Sequence, residues 1–155
     1  MAKRSAGMLL FRRGEVGLEV LIAHPGGPLW ARKDDGSWSI PKGLYDEDEE
    51  PLAAARREFA EEVGLPVPDG NVVELGEIRQ PSGKLVTAFA VESDLDITDA
   101  VSNTFEMEWP RGSGKIRSYP EVDRVDWFGI DAARDKLLKG QRPFLDRLSE
   151  IGGFG

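Results

Sequence analysis

Residues 43–65 read GLYDEDEEPLAAARREFAEEVGL, and the second half of that stretch constrains the fold more than any other segment. Pro51 suits the first turn of a helix, residues 52–63 contain no breaker, and Gly64 stands where a left-handed residue ends a helix. A helix over 51–63 is the expectation. On it Leu52, Phe59 and Val63 fall within about 40° of arc, a stripe suited to packing on a sheet. Strand-like segments lie on both sides. Residues 5–12 and 18–24 are rich in Leu, Val and Ile and are bridged by a turn, Arg-Arg-Gly-Glu. Residues 37–40 read as a short strand that Pro41 ends, and 72–80 and 84–92 as strands joined by Pro-Ser-Gly. Further strands are expected at 103–109 and 124–128, loops at 24–38 and 111–120, and helices at 131–139 and 143–151. No internal repeat interrupts the pattern, so residues 1–155 form one mixed α/β domain, long enough for a real core.

The same stretch carries most of the chain's charge. The formal net charge is −8, and the eight acids and two bases of residues 43–65 account for six of those eight excess negatives. Glu58, Glu61 and Glu62 fall within about 100° of arc, beside the apolar stripe rather than opposite it, which places three carboxylates at the rim of the buried face. Like charges three and four residues apart destabilise a helix by roughly a few tenths of a kcal/mol per pair, and acids in the last turns meet the wrong pole of the helix dipole. Arg57 relieves Glu61 at i+4 but cannot neutralise three acids. A bound cation answers the excess. With no cysteine and a single histidine, His24, the ligand set suits a hard ion, Mg²⁺ or Mn²⁺, and excludes a structural zinc site. Magnesium shares its coordination with substrate phosphates, so phosphate chemistry follows; the bland alternative is a solvated acidic face.

Composition removes other classes. The absence of cysteine excludes disulfides and thiol nucleophiles and is compatible with a reducing compartment. No run is long enough to span a bilayer, and the apolar run near the N-terminus ends at Arg12 and Arg13 without a cleavage site, so a cytoplasmic protein is expected. An acidic balance argues against gripping a nucleic-acid backbone and leaves small phosphorylated ligands. Gly83-Lys84 and Gly114-Lys115 look like pieces of a P-loop, but each lacks the earlier glycine and the following Ser or Thr.

Residues 43–65 match the signature of the Nudix hydrolase family without a departure, through Gly43, Glu49, Arg57, Glu58, Phe59, Glu61, Glu62, Gly64 and Leu65. The chain therefore resembles that family, and the resemblance implies an α/β/α sandwich with a mixed β-sheet. It also implies a Mg²⁺-dependent (or Mn²⁺-dependent) pyrophosphohydrolase acting on a nucleoside diphosphate linked to another group. By the same resemblance Glu58, Glu61 and Glu62 are metal ligands, with one acid serving as general base. The backbone carbonyl of Lys42 completes the shell, and Glu49 pairs with Arg57 to orient a carboxylate. Coupled acids titrate together, so spacing does not single out the base. Glu106 and Glu108 alternate with apolar residues on one strand; Glu106 is either a further ligand or part of a solvated polar face.

Lys42, in Pro-Lys-Gly, resembles members acting on dinucleoside polyphosphates, where a cation suits a long phosphate chain. Dinucleoside polyphosphate or nucleoside triphosphate is thus the leading substrate class. A catalytically silent nucleotide-binding module, a partner-docking acidic helix and a diphosphoinositol polyphosphate hydrolase are the alternatives. Lys33, Lys84, Arg111 and Lys115 are candidate phosphate contacts, and Trp30, Trp38 and Tyr45 candidate stacking groups, each set against ordinary solvation or packing. For His24 a packing or surface role is expected. Nothing marks an oligomeric state.

Overall fold

The computed structural model describes residues 3–15 and 17–152; residues 1–2, 16 and 153–155, the ends of the expected domain among them, lie outside the described residues. The first hairpin is β1 (Arg4–Arg13) and β2 (Leu18–Pro25), with Phe11 opposite Val20. Next come β3 (Lys42–Leu44) and α1 (Pro51–Val63). After these run β4 (Val72–Arg79), β5 (Leu85–Glu92), β6 (Thr104–Glu108), β7 (Ile116–Pro120) and β8 (Val122–Gly129). The chain closes with α2 (Ile130–Lys136) and α3 (Pro143–Gly152).

The main sheet runs β4-β5-β1-β2-β8, with β3 pairing the start of β1. Only β1 and β5 pair in parallel among these, so the sheet is mixed. Side-chain alternation on β1 sends Ala6, Met8 and Leu10 towards Ala54, Ala55, Phe59 and Val63 of α1, and Leu9 towards Phe144, Leu145 and Leu148 of α3. Both faces are therefore covered, which is why β1 and β5 read as nearly unbroken apolar runs. The α/β/α sandwich is as the resemblance implies. Among the described residues no helix is long and apolar enough to cross a membrane.

Three elements differ from the sequence reading. Residues 37–40 make only isolated bridges, Ala23 with Ser39 and Trp38 with Leu137; the strand begins after Pro41. Proline lacks an N–H but keeps its acceptor, and the Met8 N–H donates to the Pro41 carbonyl at 3.1 Å, so pairing runs on through it. Residues 116–120, expected in a loop, form β7 and pair with β6 as a separate two-stranded ribbon. Its exposed Ile116-Arg-Ser has no apolar alternation because neither face there is buried, and backbone bonds to β6 hold it instead. The helix expected over 131–139 ends at Lys136: Leu137 turns extended to bury its side chain and bridge Trp38, and the Leu138 N–H donates to the Trp38 carbonyl at 2.8 Å.

Candidate active site

The box residues meet where the C-terminal half of α1 lies beside β3. An Asp46 turn, with Asp48 N–H donating to Asp46 Oδ1 at 3.0 Å, presents Glu49 to the helix. Arg57 takes Glu49 in a two-pronged grip, Nε to Oε2 at 2.8 Å and Nη2 to Oε1 at 2.9 Å. Its Nη1 donates to Glu58 Oε1 at 2.8 Å and reaches Glu61 Oε2 at 3.4 Å, while Nη2 reaches the Leu44 carbonyl at 3.4 Å. One guanidinium thus ties the loop, the strand and two helix acids together. The bond to Glu49 does most to drive the Arg57 pKa further above its already high value, burial opposes it and Glu58 adds to it, and the same bond holds the Glu49 carboxyl below the usual range.

Gly43 is required by space. A Cβ there would fall onto the carboxyl group of Glu58, so only glycine lets that carboxylate lie against the strand. Gly64 is required twice over. Its φ is 79°, its N–H donates to the Ala60 carbonyl at 2.8 Å, and a Cβ would strike the Val101 carbonyl oxygen. The segment that crowds Gly64 also caps the helix: Val101 N–H donates to the Val63 carbonyl and Asn103 N–H to that of Glu61, both at 2.8 Å. No base stands in the last turn of α1, so Glu61 and Glu62 face the negative helix pole.

The three acids do not share one environment. Burial raises the Glu58 carboxyl, Arg57 offsets part of that, and Glu61 and Glu121 add to it. Glu62 is half-buried at the rim, like Glu58 and Glu61, with its carboxylate against Lys42. Burial pushes its carboxyl up to about 8; Lys42 opposes this, and Glu58 and Glu121 reinforce it. The Lys42 N–H donates to Glu62 Oε1 at 3.3 Å. Burial lowers the Lys42 ammonium as well, against the pull of Glu62 and Glu58, and Lys84 lowers it further.

Carboxylate oxygens with an adjacent backbone carbonyl fit a hard divalent ion in kind, and such a charge would reverse the logic that now opposes ionisation of Glu58 and Glu62. As the side chains lie, no three His, Asp or Glu among the described residues form a group ready to hold an ion, and Arg57 donates to Glu58 Oε1 and reaches Glu61 Oε2.

The further acid acting on Glu58 and Glu62 is Glu121, in the bend between β7 and β8. Its N–H donates to the Asn103 carbonyl at 2.8 Å and its carbonyl accepts from Gly26 at 2.9 Å. Sequence reasoning missed it: Tyr-Pro-Glu-Val has no periodicity to mark it. Glu106 is exposed on the ribbon opposite Ser118, and Glu108 Oε1 accepts from the Gly112 N–H at 2.7 Å. Trp38 is core, with its Nε1 donating to Asp34 at 2.8 Å, and Tyr45 packs on the α1 side. Tyr45, Leu44, Arg4 and Glu49 line a cleft of about 830 Å³ at the loop. Gly83-Lys84 and Gly114-Lys115 sit at hairpin turns, and His24 is buried edge-on to Trp38 at 5.3 Å.

A box helix locked by one arginine to its preceding loop, on an α/β/α sandwich, defines a Nudix-type domain. The NUDIX domain family model matches residues 1–148, and the chain belongs to that family. An 8-oxo-(d)GTP phosphatase of Mycolicibacterium smegmatis is 31% identical over 146 residues, which cover 86% of this chain and 37% of that protein. An RNA pyrophosphohydrolase of Bartonella henselae is 40% identical over 67 residues, 41% of this chain and 36% of that one. The chain thus spans little more than a third of the length of these curated relatives. Among solved structures, a C. elegans Ap4A hydrolase in a binary complex has a TM-score of 0.64 at 18% identity, covering 97% of this chain and 99% of that one, a likeness of fold.

Proposed function

We propose that this chain is a divalent-metal-dependent pyrophosphohydrolase that cleaves a phosphoanhydride bond in a nucleoside diphosphate-linked substrate, a dinucleoside polyphosphate or a nucleoside triphosphate. The observation that carries this reading is the Arg57 grip on Glu49, Glu58 and Glu61 beside a half-buried Glu62. Glu58, Glu61 and Glu62, with the Lys42 carbonyl, are the groups assigned to hold Mg²⁺ or Mn²⁺. Such an ion, when bound, withdraws charge from the phosphate oxygens. Glu58 is the acid assigned to take the proton of the attacking water, because Arg57 holds its carboxylate in a fixed orientation. Glu49 acts through Arg57, fixing where that carboxylate points. The Lys42 ammonium offers the phosphate chain a cation beside the acids.

Family membership together with relatives named phosphatase and pyrophosphohydrolase supports the reaction class. Pro-Lys-Gly ahead of the box favours a substrate with a long phosphate chain, and the cleft of about 830 Å³ at Glu49 is of nucleotide size. A chain without cysteine suits the reducing cytoplasm. The test is phosphate release from a panel (dinucleoside tetraphosphate, nucleoside triphosphates, 8-oxo-dGTP, 5′-triphosphorylated RNA) with and without Mg²⁺, in isotopically labelled water. Metal-dependent turnover with label in one product identifies the substrate and the phosphorus attacked; no turnover of any member removes the reading.

A further inference from the structure

The segment between β5 and β6 does more than connect them. Ile97 and Ala100 pack on the α1 side of the sheet, and the Ala100 N–H donates to the Ile97 carbonyl at 3.0 Å, which turns the chain toward the end of α1. There it meets the helix with two backbone donors, Val101 N–H to the Val63 carbonyl and Asn103 N–H to the Glu61 carbonyl, both at 2.8 Å. Carbonyls at a helix end have no partner within the helix, and this last turn carries Glu61 and Glu62 with no base of its own. The approach is close, since a Cβ on Gly64 would fall on the Val101 carbonyl oxygen. Yet Val101 leaves its side chain 69% exposed, so burial at this residue does not hold the strap down.

Ser102 supplies the missing hold. Standing between the two donors, its hydroxyl donates to the Asn103 carbonyl at 2.6 Å and accepts from the Val122 N–H at 3.0 Å. The Asn103 carbonyl also accepts from the Glu121 N–H at 2.8 Å. Val122 opens β8, which pairs with β2 in the main sheet, so one hydroxyl joins the strap to the sheet. The clasp lies beside an acid of the box: Ser102, Val122 and Glu62 line one crevice of about 40 Å³. Both bonds of the Ser102 hydroxyl go to backbone and neither to a box carboxylate, so any effect on the acids passes through the strap.

We infer that Ser102 is a positioning residue for the acidic centre: its hydroxyl locks the strap to β8, and the strap fixes the last turn of α1, on which Glu61 and Glu62 stand. An unclasped strap leaves the carbonyls of Glu61 and Val63 to water at the end where a helix opens most readily, and the acids on that turn lose their set placement against Glu58 and the Lys42 carbonyl. The Val101 and Asn103 N–H groups also bring positive dipole ends to the helix pole that Glu61 and Glu62 face. The assignment rests on the reading of these acids as metal ligands.

The test compares Ser102→Ala, which removes the hydroxyl, with Ser102→Thr, which keeps it, both in the full chain. In metal-free protein, amide hydrogen exchange at Val101 and Asn103 is expected to speed up at least about tenfold in the alanine variant and to stay within about threefold in the threonine variant. Mn²⁺ alone, titrated by electron paramagnetic resonance, is expected to bind the alanine variant about 10- to 100-fold more weakly, the range for losing a group that orients a ligand, and the threonine variant within about threefold of wild type. Wild-type Mn²⁺ affinity in Ser102→Ala overturns the proposal, even if exchange is faster or the melting temperature lower, because the hydroxyl is then an ordinary structural bond. Equal losses in both variants overturn it as well, since the hydroxyl is then not the cause. If Mn²⁺ affinity falls only in the alanine variant while the wild type hydrolyses no phosphoanhydride, the positioning role stands and the pyrophosphohydrolase reading fails.

Discussion

Two charged regions of this molecule are built on opposite plans. At the box, acids crowd the end of one helix, and a single guanidinium serves Glu49, Glu58 and Glu61. In the cleft after β2, charges of both signs alternate instead: Lys136 is shared by Asp34 and Asp35, Asp123 meets His24, Arg124 pairs with Asp126, and Arg32 and Lys33 are exposed. A region with surplus carboxylate suits a cation, whereas one of alternating sign ties its own turn to the neighbouring elements.

The comparison breaks first at Glu58. Glu58→Gln should lower turnover by about 10²- to 10⁴-fold, the range for loss of a positioned proton acceptor, with the circular dichroism spectrum unchanged. Undiminished turnover removes Glu58 from the chemistry. Gly43→Ala, which drives a methyl group into the Glu58 carboxyl, and Arg57→Ala, which frees three acids at once, should each cost about 10- to 100-fold in activity or metal affinity. Arg57→Lys should not restore it, because one ammonium cannot hold Glu49 with two bonds.

A pH series sharpens the contrast at Glu62. Its folded carboxyl lies near 8 against an ordinary 4.5, so between those values the folded chain binds more protons than the unfolded one. Metal-free stability at this position is therefore full below about pH 4.5 and is lost as pH rises through 8. Thermal melts should show this as a fall in Tm of several degrees, at roughly 2–4 °C per kcal/mol for a domain of this size. Glu62→Gln should flatten that fall, and Mg²⁺ should raise Tm more at pH 8 than at pH 5. Parallel curves for wild type and variant contradict the burial argument. The smallest effect belongs to the loop after β2: Arg32→Ala/Lys33→Ala should shift stability by less than about 0.5 kcal/mol, because both side chains are exposed.

Much of the box was legible because its residues lie on one helix and the loop before it, so fixed spacing translates directly into geometry. The Glu58 position follows from that spacing, and the Glu49–Arg57 pair is the one the family resemblance implies. Glu62 was less legible: period places it at the rim beside Glu58 but cannot say that its carboxylate meets Lys42. Glu121 and the cleft were illegible for a different reason. Glu121 reaches the box acids only because the bend between β7 and β8 is pinned to Asn103 and Gly26. Strand β7 escaped notice because a ribbon buried on neither side leaves no apolar alternation to read.

The order of apolar runs and breakers by itself determined an α/β chain with one acidic helix between strands, because burial periodicity and Pro or Gly punctuation are local properties. Tertiary structure alone decided which acids share a field and which are paired. Coulomb interaction and desolvation depend on distance and enclosure in space, and residues as far apart in the chain as His24 and Asp123 become neighbours only when β2 and β8 lie side by side.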